Sequence, residues 1–128
     1  MKTNMVSWFE IPVLNMERAQ KFYETVFRVN ISIHQMGDVL MGWFPPAEDN
    51  NAPGISGSLV LNEMYAPSEK NGVVIYFASQ SGDLANELSR IEEAGGTILQ
   101  DKTLIAEEVG YMALFLDSEG NRIALYNK

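Results

Sequence analysis

Residues 114–126 read LFLDSEGNRIALY. Two apolar runs flank Asp117-Ser118-Glu119-Gly120-Asn121, a tight turn in which Gly120 can take a positive φ without steric cost. The pattern is a β-hairpin with strands over residues 111–116 and 122–127. Immediately upstream, residues 97–105 form another strand-like run. Before that, residues 83–94 carry Leu84, Leu88 and Ile91 at helical spacing, and Gly95-Gly96 ends the helix with a residue suited to the left-handed C′ position. Residues 73–78 read as a strand. The second half of the chain is therefore strand, helix, three strands.

The same order appears in the first half. Residues 6–13 alternate as a strand, with Phe9, Ile11 and Val13 on one face and Trp8, Glu10 and Pro12 on the other. Asn15 is an N-cap, and Met16, Ala19, Phe22, Tyr23, Val26 and Phe27 recur at helical spacing. Strands follow at 29–36, 39–44 and 57–62. The polar stretch at 47–56 (AEDNNAPGIS) is a loop and 64–71 (MYAPSEKN) a connector. One domain of 128 residues results, with a first module over 1–63, the connector over 64–71 and a second module over 72–128. A βαβββ unit of about 60 residues is marginal by itself, so two sharing one core is the expected solution. The alternative is a single α+β domain whose symmetry is accidental.

Composition narrows the function. Hydrophobic residues make up 46% and charged residues 20%, as in ordinary globular domains. There is no cysteine, which excludes disulfides, thiolate metal sites and cysteine nucleophiles. A formal charge of −8 with no basic stretch argues against nucleic acid. No segment has the length and apolarity of a membrane span, and the opening residues lack the pattern of a secretory signal, so the cytoplasm is the expected compartment. A Gly-rich phosphate loop, an H-E-x-x-H pair and a nucleophile elbow are all missing.

Three stretches resemble the vicinal-oxygen-chelate superfamily of glyoxalase I, extradiol dioxygenases and bleomycin- and fosfomycin-resistance proteins. They are WFEIPVLNMERAQKFY at 8–23, GDLANELSRIEEAGGTIL at 82–99, and the closing hairpin, whose turn in that family usually reads Asp-Pro-x-Gly-Asn. The resemblance implies an α+β fold in which two βαβββ modules form a curved, cup-shaped mixed sheet, with helices outside and a ligand cavity within. Metal-dependent members take four ligands, His, Gln or Glu, from the first and last strands of the modules. Those places fall here on Trp8; on Val74 or Tyr76; on Ser58, Val60 or Asn62, with Glu63 just beyond; and on Ala124. A catalytic metal normally needs about three protein ligands. The expectation is no metal and no cofactor.

The candidate ligand-binding residues are Trp8, Glu10, His34, Trp43, Tyr76 and Tyr111, an aromatic set suited to a flat or apolar molecule. Glu10 is also the candidate catalytic residue. Flanked by Phe9 and Ile11, its carboxylate is expected to be partly desolvated, with a raised pKa and the capacity to act as a general base or to accept a hydrogen bond from a ligand. His34 is a possible partner for it. The primary reading is a metal-free glyoxalase/bleomycin-resistance-like protein that binds a small organic molecule in its cup, pairing as a homodimer. One alternative is a lyase or isomerase related to glyoxalase I, metal-free or using a divalent ion held by Glu10, Glu63 and His34. Another is an interaction protein with a filled cavity.

Overall fold

The computed structural model describes residues 2–128. Its elements run β1 (Phe9–Pro12), α1 (Met16–Phe27), β2 (Ser32–Met36), β3 (Val39–Trp43), β4 (Gly57–Leu61), β5 (Ile75–Ala78), α2 (Leu84–Leu88), β6 (Thr97–Ala106), β7 (Gly110–Leu116) and β8 (Arg122–Asn127). Strand, helix, three strands occurs twice, as the sequence predicts. Each module is a four-stranded mixed sheet, ordered β1-β4-β3-β2 in the first and β5-β8-β7-β6 in the second. β1 pairs parallel to β4 and β5 parallel to β8, and the remaining pairs are antiparallel.

Local chemistry explains the element boundaries. The Asn15 side chain accepts from the Arg18 N–H at 3.0 Å and starts α1. Asp83 does the same for α2 through the Ala85 N–H. The second helix is shorter than the spacing of Leu84, Leu88 and Ile91 predicts. After Leu88 the chain tightens into i→i+3 bonds, Arg90 to Glu87 and Ile91 to Leu88, while the Ser89 hydroxyl bonds back to the Asn86 carbonyl. Ile91 is still fully buried, and Gly95 takes φ +105° at the stop.

One core serves both modules. Phe22, Tyr23 and Phe27 of α1 touch their own sheet and the neighbouring one: Tyr23 lies 5.4 Å from Phe44 and 5.9 Å from Phe77, Phe27 4.8 Å from Phe77, and Phe22 6.1 Å from Phe115, measured between ring centroids. The helices thus pack against one face of the sheets and against each other, as expected for helices outside a cup. The opposite faces are open, and in the single chain they are turned to solvent: Trp8, Met36 and Tyr76 are 43%, 53% and 56% exposed.

The closing hairpin locks the modules together. Three of its polar turn residues, Asp117, Glu119 and Asn121, are buried. Glu119 accepts from the backbone N–H groups of Leu14 and Asn15 at 2.8 Å each, and from Arg18 Nε at 2.6 Å and Nη2 at 2.9 Å. A carboxylate at the start of α1 also complements the helix dipole. Asp117 accepts from the Tyr23 hydroxyl at 2.6 Å, and Asn121 Nδ2 donates to the Pro12 carbonyl at 2.8 Å. Every one of these bonds crosses from the second module to the first.

Candidate functional site

Strand alternation and register define the open face of the first sheet. Glu10 on β1 lies opposite Ser58 on β4, and Ser58 lies opposite Trp43 on β3, which pairs with Ser32 on β2. The next row is Pro12, Val60, Met41 and His34. Ser58 is buried, and its hydroxyl donates to the Leu59 and Gly42 carbonyls at 2.6 and 3.2 Å. It contributes no free polar group to the face.

Glu10 is the chemical centre of this face. Trp8 Nε1 donates to its Oε2 at 3.3 Å, and the Tyr65 hydroxyl donates to its Oε1 at 2.9 Å. Burial raises the Tyr65 pKa, and its bond to Glu10 together with the nearby negative charge raises it further. Glu10 itself is exposed, which corrects the desolvation expected from its apolar neighbours. β1 is an edge strand, so no adjoining strand covers that side of it. Tyr65 is the residue that sequence reasoning missed. It lies in the polar connector, where no periodicity marks it, and only an aromatic ring in a hydrophilic stretch gives a signal.

His34 does not pair with Glu10. β2 and β1 are the two outer strands of the sheet, with β3 and β4 between them. The imidazole stacks on Trp43 at 3.7 Å and 25°, and its Nε2 lies 3.1 Å from the Ser32 hydroxyl. Trp43 Nε1 and Asn62 Nδ2 are buried with no hydrogen-bond partner among the described residues. On the second sheet, Tyr76 lies opposite Ala124 on the open face. Tyr111 does not join the aromatic set. It pairs with Asn127, whose side chain accepts from the Leu84 N–H, so it lies on the helix side of its sheet. There Lys102 sits 4.6 Å above its ring while also bonding Asp83 at 2.8 Å.

At the four places where the resemblance puts metal ligands, the side chains are not of the kind that bind an ion. Trp8, Tyr76, Ala124 and the Ser58, Val60 and Asn62 row supply no carboxylate or imidazole. Glu10 and His34 are on opposite edges of the sheet, and Glu63 is exposed beyond β4. No group of three or more His, Cys, Asp or Glu residues able to hold a metal is found among the described residues. No helix among them is long and apolar enough to cross a membrane.

A cleft of about 220 Å³ adjoins Glu10, between β1, the connector and the start of β8. A second, more polar cleft of about 480 Å³ lies between the end of α1 and α2, away from the open faces.

Solved structures share this architecture. The chain superposes on a glyoxalase I variant from Zea mays with a TM-score of 0.72 at 18% identity, covering 94% of this chain and 45% of that one. The chain has the vicinal-oxygen-chelate fold. A glyoxalase/bleomycin resistance protein from Albidiferax ferrireducens matches end to end, with a TM-score of 0.69, 19% identity, and 98% and 99% of the two chains covered. An antibiotic binding protein from a Streptomyces species matches with a TM-score of 0.62 at 21% identity, over 99% and 98% of the chains. The chain thus spans less than half the length of the maize glyoxalase I and the full length of smaller vicinal-oxygen-chelate proteins. No protein-family model and no curated protein matches the sequence.

Proposed function

We propose that this chain is a metal-free member of the glyoxalase/bleomycin-resistance type that holds a small organic molecule against the open face of its first sheet. The observation that carries this reading is the Glu10 cluster. An exposed carboxylate is fixed by two aromatic donors, Trp8 and Tyr65, beside a cleft and on the face that the resemblance marks as the ligand side. Trp43 extends the aromatic surface two strands away, and Tyr76 is its candidate counterpart on the second sheet. The non-ligating residues at the four metal positions support binding without an ion. The antibiotic binding protein of the same fold offers a precedent for binding as the function.

One open face covers a ligand from one side only. A second copy placing its second sheet over the first sheet of its neighbour would complete a cup, and the exposed Met36, Val74 and Tyr76 suit such a contact. A cysteine-free, acidic chain of this kind suits the cytoplasm.

A thermal-shift screen of the purified protein against small aromatic and heteroaromatic compounds tests the reading, with indole fluorescence as a second readout. Binding is expected to raise the melting temperature and to change the Trp8 and Trp43 emission. No shift and no fluorescence change with any compound would favour an interaction protein instead.

A further inference from the structure

We infer that the cleft beside Glu10 is a seat for a small zwitterion of the amino-acid class, with the ligand's ammonium at Glu10 and its carboxylate at Arg122. This rests on the reading of the Glu10 face as a ligand site and names the chemistry that the site selects.

The cleft carries one charge of each sign. Glu10 and Arg122 both line it, and Pro12, Ala66 and Val73 are among its apolar residues. The two do not reach each other: among the described residues, neither is in an ion pair, whereas Glu119, Glu87 and Asp83 each have a cationic partner. Both also have bonding capacity left. A carboxylate offers about four acceptor positions, and Glu10 uses two, for Trp8 and Tyr65. A guanidinium has five N–H donors, and Arg122 uses its Nε–H for the Glu69 carbonyl at 3.0 Å. The three partners they do have, two neutral aromatic donors on Glu10 and one carbonyl on Arg122, orient the two groups without neutralising them.

Size and rigidity point the same way. A volume of about 220 Å³ is below the range of about 300–1,000 Å³ usual for drug-sized ligands. The walls are tied together before any ligand arrives. Asn121 accepts from the Ser68 N–H of the connector at 3.2 Å and donates to Pro12 of β1, and the Arg122 N–H bonds the Ser68 carbonyl. A preformed seat loses less entropy on binding. A molecule with an ammonium, a carboxylate and a short apolar body satisfies both unpaired charges and covers the apolar part of the wall. A neutral aromatic satisfies neither charge.

The test is a matched series on the purified full chain by isothermal titration calorimetry. One set is phenylalanine, 2-phenylethylamine and 3-phenylpropionate; a second is leucine, 3-methylbutylamine and 4-methylpentanoate. Each charge-assisted contact is expected to be worth about tenfold in affinity, so each zwitterion should bind about tenfold tighter than either singly charged analogue. Glu10→Gln should remove the advantage over the carboxylate-only compound, and Arg122→Gln the advantage over the amine-only compound, with Arg122→Lys restoring part of it. Circular dichroism of each variant confirms that it is folded. Equal affinities across a set, or an advantage that survives both substitutions, would overturn the inference. If neutral aromatics still bind in that case, the ligand-site reading stands alone; if nothing binds, both fail.

Discussion

Replacing Glu119 by alanine is expected to weaken the whole fold, because one side chain holds the second module to the start of the first helix. Its carboxylate accepts from the Leu14 and Asn15 N–H groups at 2.8 Å, from two Arg18 nitrogens and from the Ser118 hydroxyl at 2.9 Å. The contributions differ in size. Arg18 is 51% exposed at its side chain, so on losing its partner it returns to water at little cost, about 0–1 kcal/mol. The two backbone donors cannot rotate away, and each left unsatisfied costs about 1–3 kcal/mol. The loss should therefore be about 2–7 kcal/mol, a large part of a domain's usual stability of about 5–15 kcal/mol. Urea unfolding of wild type, Glu119→Ala, Arg18→Ala and the double variant measures it. The expected result is a large loss for Glu119→Ala, a smaller one for Arg18→Ala because the two backbone donors still hold the carboxylate, and an unchanged urea dependence. A Glu119→Ala variant within about 0.5 kcal/mol of wild type, the range of ordinary surface substitutions, would refute the reasoning.

The same network sets the acid limb of stability. Burial pushes the Glu119 carboxyl up, but Arg18 and the Asn15 and Leu14 N–H groups outweigh it and hold the pKa below the ordinary value. The native state therefore binds fewer protons than the unfolded one, and the stabilisation is lost as pH falls through that depressed pKa. Asp117 is opposite: burial raises its pKa despite bonds from Tyr23 and Asn121, so its contribution declines as pH rises through the raised value. In unfolding measured from pH 6 down to pH 2.5, the gap between wild type and Glu119→Gln should narrow with acidification, and that between wild type and Asp117→Asn should not. Tyr23→Phe removes the bond from a fully buried hydroxyl to Asp117 and should cost about 1–2 kcal/mol by chemical denaturation. Gly96→Ala should destabilise by about 1–3 kcal/mol, because a Cβ there would meet the Leu116 carbonyl at 2.6 Å and Phe22 at 2.8 Å. Sedimentation at micromolar concentration should give a dimer, and a charge placed at Tyr76 should return it to monomers.

The hairpin that decides the fold was legible because a turn with Gly120 between apolar runs allows few structures. Its second role was not. Asp117, Glu119 and Asn121 look like solvated turn residues until the fold brings Leu14, Arg18 and Tyr23 against them, more than 90 positions away. The face of β1 that carries Trp8 and Glu10 followed from alternation alone. Tyr111 was misplaced because the face that its strand turns to the helices depends on register with β8, which a single run of residues does not display. His34 and Glu10 likewise seemed close only while the order of strands in the sheet was unknown. Tyr65 and Arg122 could not be found from periodicity, since one lies in a connector and the other begins a strand. Their relation to Glu10 exists only in the assembled seam.

The Glu10 face is expected to bind an organic ligand without a metal. The most direct test is metal analysis of the purified protein, paired with ligand titration before and after exhaustive chelation. The expected result is substoichiometric metal, the same affinity in both titrations, and no rise in melting temperature on adding zinc, nickel, iron or manganese ions. One equivalent of bound metal, or ligand binding that disappears on chelation and returns with a divalent ion, would contradict it.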